Sequence, residues 1–128
     1  MHKKWYSAAL IVTSSIDNDP QYKPLVDLQV RLIKAVDAEE AYKEALRLGV
    51  AEETNYKNAI DEIVRWHFEG LHDLQELSAE ELSSGTEVFS IRSGNAIEDL
   101  VVDKDRLTVF WIDANKHKKA IEILLEDE

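Results

Sequence analysis

From residue 5 to residue 14 the chain reads WYSAALIVTS, β-branched, aromatic or small at nearly every position, which predicts a mostly buried first strand. Residues 17–24 carry turn chemistry: Asp, Asn and two Pro. Between residues 25 and 36 the pattern changes to strict alternation. Val26, Leu28, Val30 and Leu32 interleave with Asp27, Gln29 and Arg31, the period of a half-buried strand, and Ile33 breaks the parity, where a bulge or strand end is expected. The period then lengthens. Asp37 with Glu40 three residues on reads as a capping-box variant, and Ala38, Ala41, Tyr42, Ala45 and Leu46 follow helical spacing. The spacing predicts a helix over 37–48 with Gly49 as its C-terminal cap.

Residues 55–70, NYKNAIDEIVRWHFEG, read as two extended arms around a turn at 59–62. In the second arm Val64, Trp66 and Phe68 alternate with Arg65, His67 and Glu69, so the first set is expected in the core. Farther on, 78–82 resembles one capped helical turn and 88–92 a strand. Residues 100–102 and 107–112 read as a hairpin around Asp103-Lys104-Asp105, and 114–125 as a helix. Together these elements predict a single α+β domain over 1–128: a mainly antiparallel sheet, one face covered by the amphipathic helix and by the C-terminal helix. Residues 1–94 form its core and 95–128 a hairpin-and-helix extension.

The chain has 128 residues, enough to close one hydrophobic core. It has no cysteine, which excludes disulfides, thiolate metal sites and a cysteine nucleophile. The N-terminal apolar run is short and includes Ser7, so it reads as a strand rather than a signal peptide; a cytoplasmic location is expected. A formal net charge of −11 argues against phosphate-backbone and anionic-membrane binding, leaving a protein partner as the expected kind, with a homo-oligomer left open.

His2, His67, His72 and His117 lack metal-ligand spacing, and Asp103 with Asp105 lacks the remaining ligands of a calcium loop. No metal and no cofactor is expected. No nucleophile elbow, phosphate-binding glycine loop or paired-carboxylate motif is present, so no catalytic residue is assigned.

The KKWYSAALIV strand, the LQVRLIKAVDAEEAYKEALRLG strand and helix, and NYKNA followed by VRWHFEG resemble a small bacterial family known as domain of unknown function 4288. The likeness covers about the first 90 residues and is carried by Trp5, Tyr6, Tyr56, Lys57, Asn58, Trp66, Phe68 and Gly70. It implies a fold and a bacterial source, and no activity. Family members commonly place Gly in the turn after Tyr-Lys-Asn, where this chain has Ile60-Asp61.

Tyr56, Lys57, Asn58, Arg65 and His67 form the candidate ligand- or partner-binding cluster, because adjacent antiparallel arms bring side chains of like facing within about 5 Å. Lys57 and Arg65 supply charge, Asn58 a donor and acceptor, and Tyr56 or Trp66 a flat wall. The same residues also suit a purely structural hairpin in which Asn58 serves the turn. The expected function is a non-enzymatic binding or interaction module, with a basic partner protein of the immunity or accessory kind suggested by the acidic charge. The alternative is a small anionic-ligand binder or an enzyme using Tyr56, Lys57, Asn58 and Arg65.

Overall fold

A computed structural model describes residues 2–90 and 101–110. Its elements are β1 (Lys4–Ile16), β2 (Val26–Ala35), α1 (Ala38–Ala51), β3 (Thr54–Lys57) and β4 (Ile63–Glu76), followed by a 3-10 turn at Lys104–Arg106 and helical residues 108–110. The four strands form one antiparallel sheet in the order β2-β1-β4-β3, and α1 packs on one face. This is the expected α+β architecture.

β1 takes a central place because its sequence tolerates burial on both sides. Tyr6, Ala8 and Leu10 face α1, while Ser7, Ala9 and Ile11 are buried on the outer face. The Ser7 hydroxyl is the one buried side-chain oxygen or nitrogen among the described residues without a hydrogen-bond partner. β4 carries two extra residues opposite β1, His72 and Glu69, where the register shifts between Ala9/Leu10 and Ile11/Val12. Such bulges bend a strand and increase its twist, which suits a sheet curling around one helix.

The core lies between the inner face and α1. Tyr6, Ala8, Leu10, Ile33, Ala35, Leu71 and Leu74 meet Ala41 and Ala45 of the helix. The small helix residues permit close approach, and Gly49 shows why: a Cβ there would stand 2.4 Å from the Phe68 ring. Asp37 caps α1 as expected, its Oδ1 accepting from Glu40 N at 2.9 Å. Beyond the end of β3, the free side of β4 is met by Val102, whose N–H donates to Leu71 O at 3.0 Å. Thr108 donates to Asp73 through its N–H and hydroxyl at 2.7 and 2.6 Å. Leu107 is buried in the same core, and Phe110 meets Tyr42 edge to face with ring centroids 5.9 Å apart.

Several expectations are corrected. Gly49 lies inside α1, which runs to Ala51 with Glu52 as its cap, because the close approach of Phe68 keeps that helical turn packed on the sheet. No bulge or strand end marks Ile33: the β1–β2 register runs unbroken from Thr13↔Val26 to Lys4↔Ala35. Residues 78–82 form bends rather than a helical turn, and 88–90 form no strand; Ser90 instead bonds to the Gln75 side chain. The Asp103-Lys104-Asp105 stretch is not a hairpin turn. It opens a 3-10 turn and then a helical stretch that seats Leu107 in the core. The strand residues 91–92, the hairpin residues 100 and 111–112 and the helix over 114–125 lie outside the described residues.

Candidate functional site

The hairpin cluster is divided by the pleat. Thr54, Asn55, Tyr56 and Lys57 pair with Trp66, Arg65, Val64 and Ile63. Directly opposed residues share a face, so Tyr56 lies with Val64 and Trp66, whereas Lys57 lies on the outer face with Arg65 and His67. Tyr56 and Lys57 are both exposed. Asn58 is absorbed by the turn: its Oδ1 accepts from Ile60 N and Glu62 N at 3.1 and 3.0 Å, and its Nδ2 donates to Glu62 at 3.0 Å. The turn closes with Asp61 at φ 63°, the left-handed region that favours glycine.

Arg65 is likewise engaged. Its guanidinium donates from Nε and Nη2 to the two oxygens of Asp17 at 2.8 and 2.9 Å, a bidentate pair that ties the β1 end to β4. The Arg65 hydrogen bond and charge hold the Asp17 carboxyl below the usual carboxylate range, and the Asp17 hydrogen bond raises Arg65 in turn. His67 Nε2 lies 3.3 Å from Ser15 Oγ. The structure therefore brings Lys57, Arg65 and His67 to one face, sends Tyr56 to the other, and occupies Asn58 and Arg65 with intrachain partners.

A second surface carries a stronger anomaly. The alternating residues of β2 are turned away from the core. Val26, Leu28, Val30 and Leu32 are 52%, 38%, 41% and 42% exposed, while Ile33 and Ala35 are buried beneath α1. Arg31, on the inner face, reaches Gln29 and forms an ion pair with Glu52 at the helix end. β2 is also an edge: β1 is its only strand neighbour among the described residues. Ser14 N donates to Leu25 O at 3.0 Å, which makes that opposed pair hydrogen-bonded. With an unbroken register, Asp27, Gln29, Arg31 and Ile33 follow suit, and Val26, Leu28, Val30 and Leu32 turn their N–H and C=O groups to the free edge.

Beside that edge, between β2 and α1, runs a groove of about 530 Å³ lined by Leu32, Ile33, Lys34, Lys43, Arg47 and Leu48. Sequence reasoning read the β2 alternation as pointing inward. The available signal was the parity break at Ile33: Ile33 and Ala35 side with Asp27, Gln29 and Arg31, so two apolar sets occupy opposite faces of one strand. Among the described residues, no group of three or more His, Asp or Glu could hold a metal ion, and no helix is long and apolar enough to cross a membrane.

A family model described as Domain of unknown function (DUF4288) matches residues 5–90. No curated protein and no solved structure matches the chain.

Proposed function

Starting from the chain's membership of the DUF4288 family, whose description names no activity, we propose that the protein is a non-enzymatic interaction module that binds through β2. The observation that carries this reading is the exposed stripe of Val26, Leu28, Val30 and Leu32 on a sheet edge that no other described strand covers. An edge presents unpaired backbone donors and acceptors, and natural sheets normally blunt it with charge, proline or a bulge on the strand. Along Val26–Ala35 there is no proline, the register with β1 has no shift, and the outward positions from 26 to 32 are all apolar, the strand's charges being Asp27 and Arg31 on the inner face and Lys34 near its end. A partner strand laid along this edge gains main-chain hydrogen bonds, and its alternate side chains meet the apolar stripe.

The occupant is thus an extended protein segment. The net charge of −11 steers a basic partner of the immunity or accessory kind toward the molecule, while the apolar edge supplies the contact. The test is retention of a protein from the native host by three immobilised forms: wild type, Leu28→Lys/Val30→Lys and Lys57→Ala/Arg65→Ala, each first shown to melt at an unchanged temperature. Loss of retention in the β2 variant alone is expected. Loss in the hairpin variant alone would move the binding surface to Lys57 and Arg65 and sink this reading.

A further inference from the structure

Resting on the reading of β2 as the binding edge, we infer that, until a foreign segment displaces it, the strand along that edge is the β2 of a second copy of this chain. The two β2 strands pair antiparallel about a two-fold axis at Gln29, joining two sheets into one. Antiparallel pairing about a two-fold sets residue i opposite a residue of the other copy such that their numbers sum to a constant. Because the outward N–H and C=O groups belong to the even-numbered positions, only axes centred on a residue bring them together.

Those axes are not equivalent. With the axis at Gln29, Leu28 faces Val30 and Val26 faces Leu32 on the outer side, so every exposed apolar residue of the strand meets another. On the inner side Asp27 faces Arg31, and symmetry makes this pair twice. Moving the axis to Arg31 sets Arg31 against itself and Leu28 against Lys34. Moving it to Val30 sets Asp27 against Ile33 and Val26 against Lys34. Moving it to Leu28 sets Leu25 against Arg31. Opposite charges placed directly across strands stabilise and like charges destabilise, so the Gln29 register is the one that the side chains select. Asp27 is exposed and accepts from Gln29 Nε2, and Arg31 is half-buried and donates to Gln29 and Glu52; a guanidinium has five donors and a carboxylate about four acceptor sites, enough for a further partner each.

Leu25 supplies an independent observation. It is 61% exposed just before β2, and it is not part of the core cluster. In the Gln29 register it falls opposite Ile33 of the other copy, at the mouth of the groove lined by Ile33 and Leu48. Lys34 and Arg31 outnumber Asp27 on the strand, and in the groove Lys3, Lys43 and Arg47 outnumber Glu40 and Glu44. The joined edge is therefore not an acidic surface meeting itself, despite the overall charge of the chain. A single ladder lies at the small end of stable interfaces, so the dimer is concentration-dependent.

Sedimentation velocity over a concentration series, with melting checked for every variant, tests this. Wild type is expected to pass reversibly from monomer to dimer. Val30→Pro deletes an outward N–H that the intrachain ladder does not use, and is expected to remain monomeric. Asp27→Arg puts Arg opposite Arg31, and Arg31→Asp puts Asp opposite Asp27. Each is expected to self-associate about tenfold or more weakly, and an equimolar mixture of the two to form a heterodimer near wild-type strength. That rescue is particular to the Gln29 register and does not depend on Val30→Pro folding. Monomeric wild type up to about 0.5 mM, a dimer indifferent to these variants, or a mixture without rescue would each overturn the inference. Monomeric wild type together with loss of host-protein retention in Leu28→Lys/Val30→Lys overturns self-pairing alone and leaves β2 as the edge for a foreign strand.

Discussion

The sheet ends in two edge strands that meet solvent in opposite ways. β3 is four residues long, TNYK, exposed throughout, and joined to β4 by a turn whose polar groups are paired through Asn58. It offers a partner little backbone and little apolar area. β2 is ten residues long, unbroken, and apolar at the outward positions 26, 28, 30 and 32. A short polar edge resists further pairing and a long apolar one invites it. Asn58 and Arg65 of the chemically varied hairpin are accordingly engaged within the chain, and among the described residues the plainer strand is the one left with unused bonding capacity.

The contrast breaks most readily inside β2 itself. Ile33→Ala removes a side chain that is 3% exposed beneath α1 and is expected to cost about 2–5 kcal/mol in denaturant unfolding. Val30→Thr, one position type away on the outer face, is expected to stay within about 1 kcal/mol of wild type. If the two cost the same in the isolated chain, Val30 is packed and the outer stripe is not a free surface.

The hairpin should show the reverse arrangement, with its polar residues carrying the stability. Asn58→Ala leaves the amides of Ile60 and Glu62 without their side-chain acceptor, and a loss of about 1–3 kcal/mol is expected. Lys57→Ala is expected within about 0.5 kcal/mol. A smaller effect of opposite sign follows at Asp61, whose φ of 63° suits glycine: Asp61→Gly is expected to gain up to about 1 kcal/mol. A loss on that substitution would mean that the Asp61 side chain holds the turn.

The pH dependence sharpens the comparison at its weak end. Burial, then the nearby Glu76 carboxylate, pushes the Tyr6 phenol up to about 12 from an ordinary 10.0. The folded state holds Tyr6 neutral, so its contribution is complete below pH 10 and is lost as pH rises from 10 toward 12. Tyr6→Phe should flatten that alkaline slope in a series of melts. Asp17 behaves in the opposite sense. Its carboxyl is depressed by Arg65, so its contribution is present above the ordinary carboxylate range and is lost as pH falls through the lowered value. Asp17→Asn should remove that acid-side step, which is small because the pair is solvent-accessible. An unchanged acid limb would show that the bidentate pair adds nothing measurable to the fold.

The sequence by itself determined most of the local structure, because those features depend on neighbours a few residues away. The apolar run of β1 is suited to the middle of a sheet, Asp37 and Glu40 start a helix wherever it later packs, and Asn58 followed by Ile60-Asp61 makes a turn that needs only its own backbone. Tertiary structure decided which face of each element is used. Period-two alternation states that Val26 to Leu32 share a side; it is silent on which side α1 covers, and a strand with Ile33 and Ala35 on the other parity satisfies the core with those two residues alone. The same holds for residues 101–110. Local pattern favoured a hairpin there, but Leu107 gains burial beside Leu71 and Leu74, Val102 donates to the Leu71 carbonyl on the open side of β4 and Thr108 donates to the Asp73 carboxylate, partners which no neighbour in sequence could offer. Which apolar stripe is hidden and which is left exposed is thus a property of long-range packing, and the exposed edge of β2 was invisible until that packing was known.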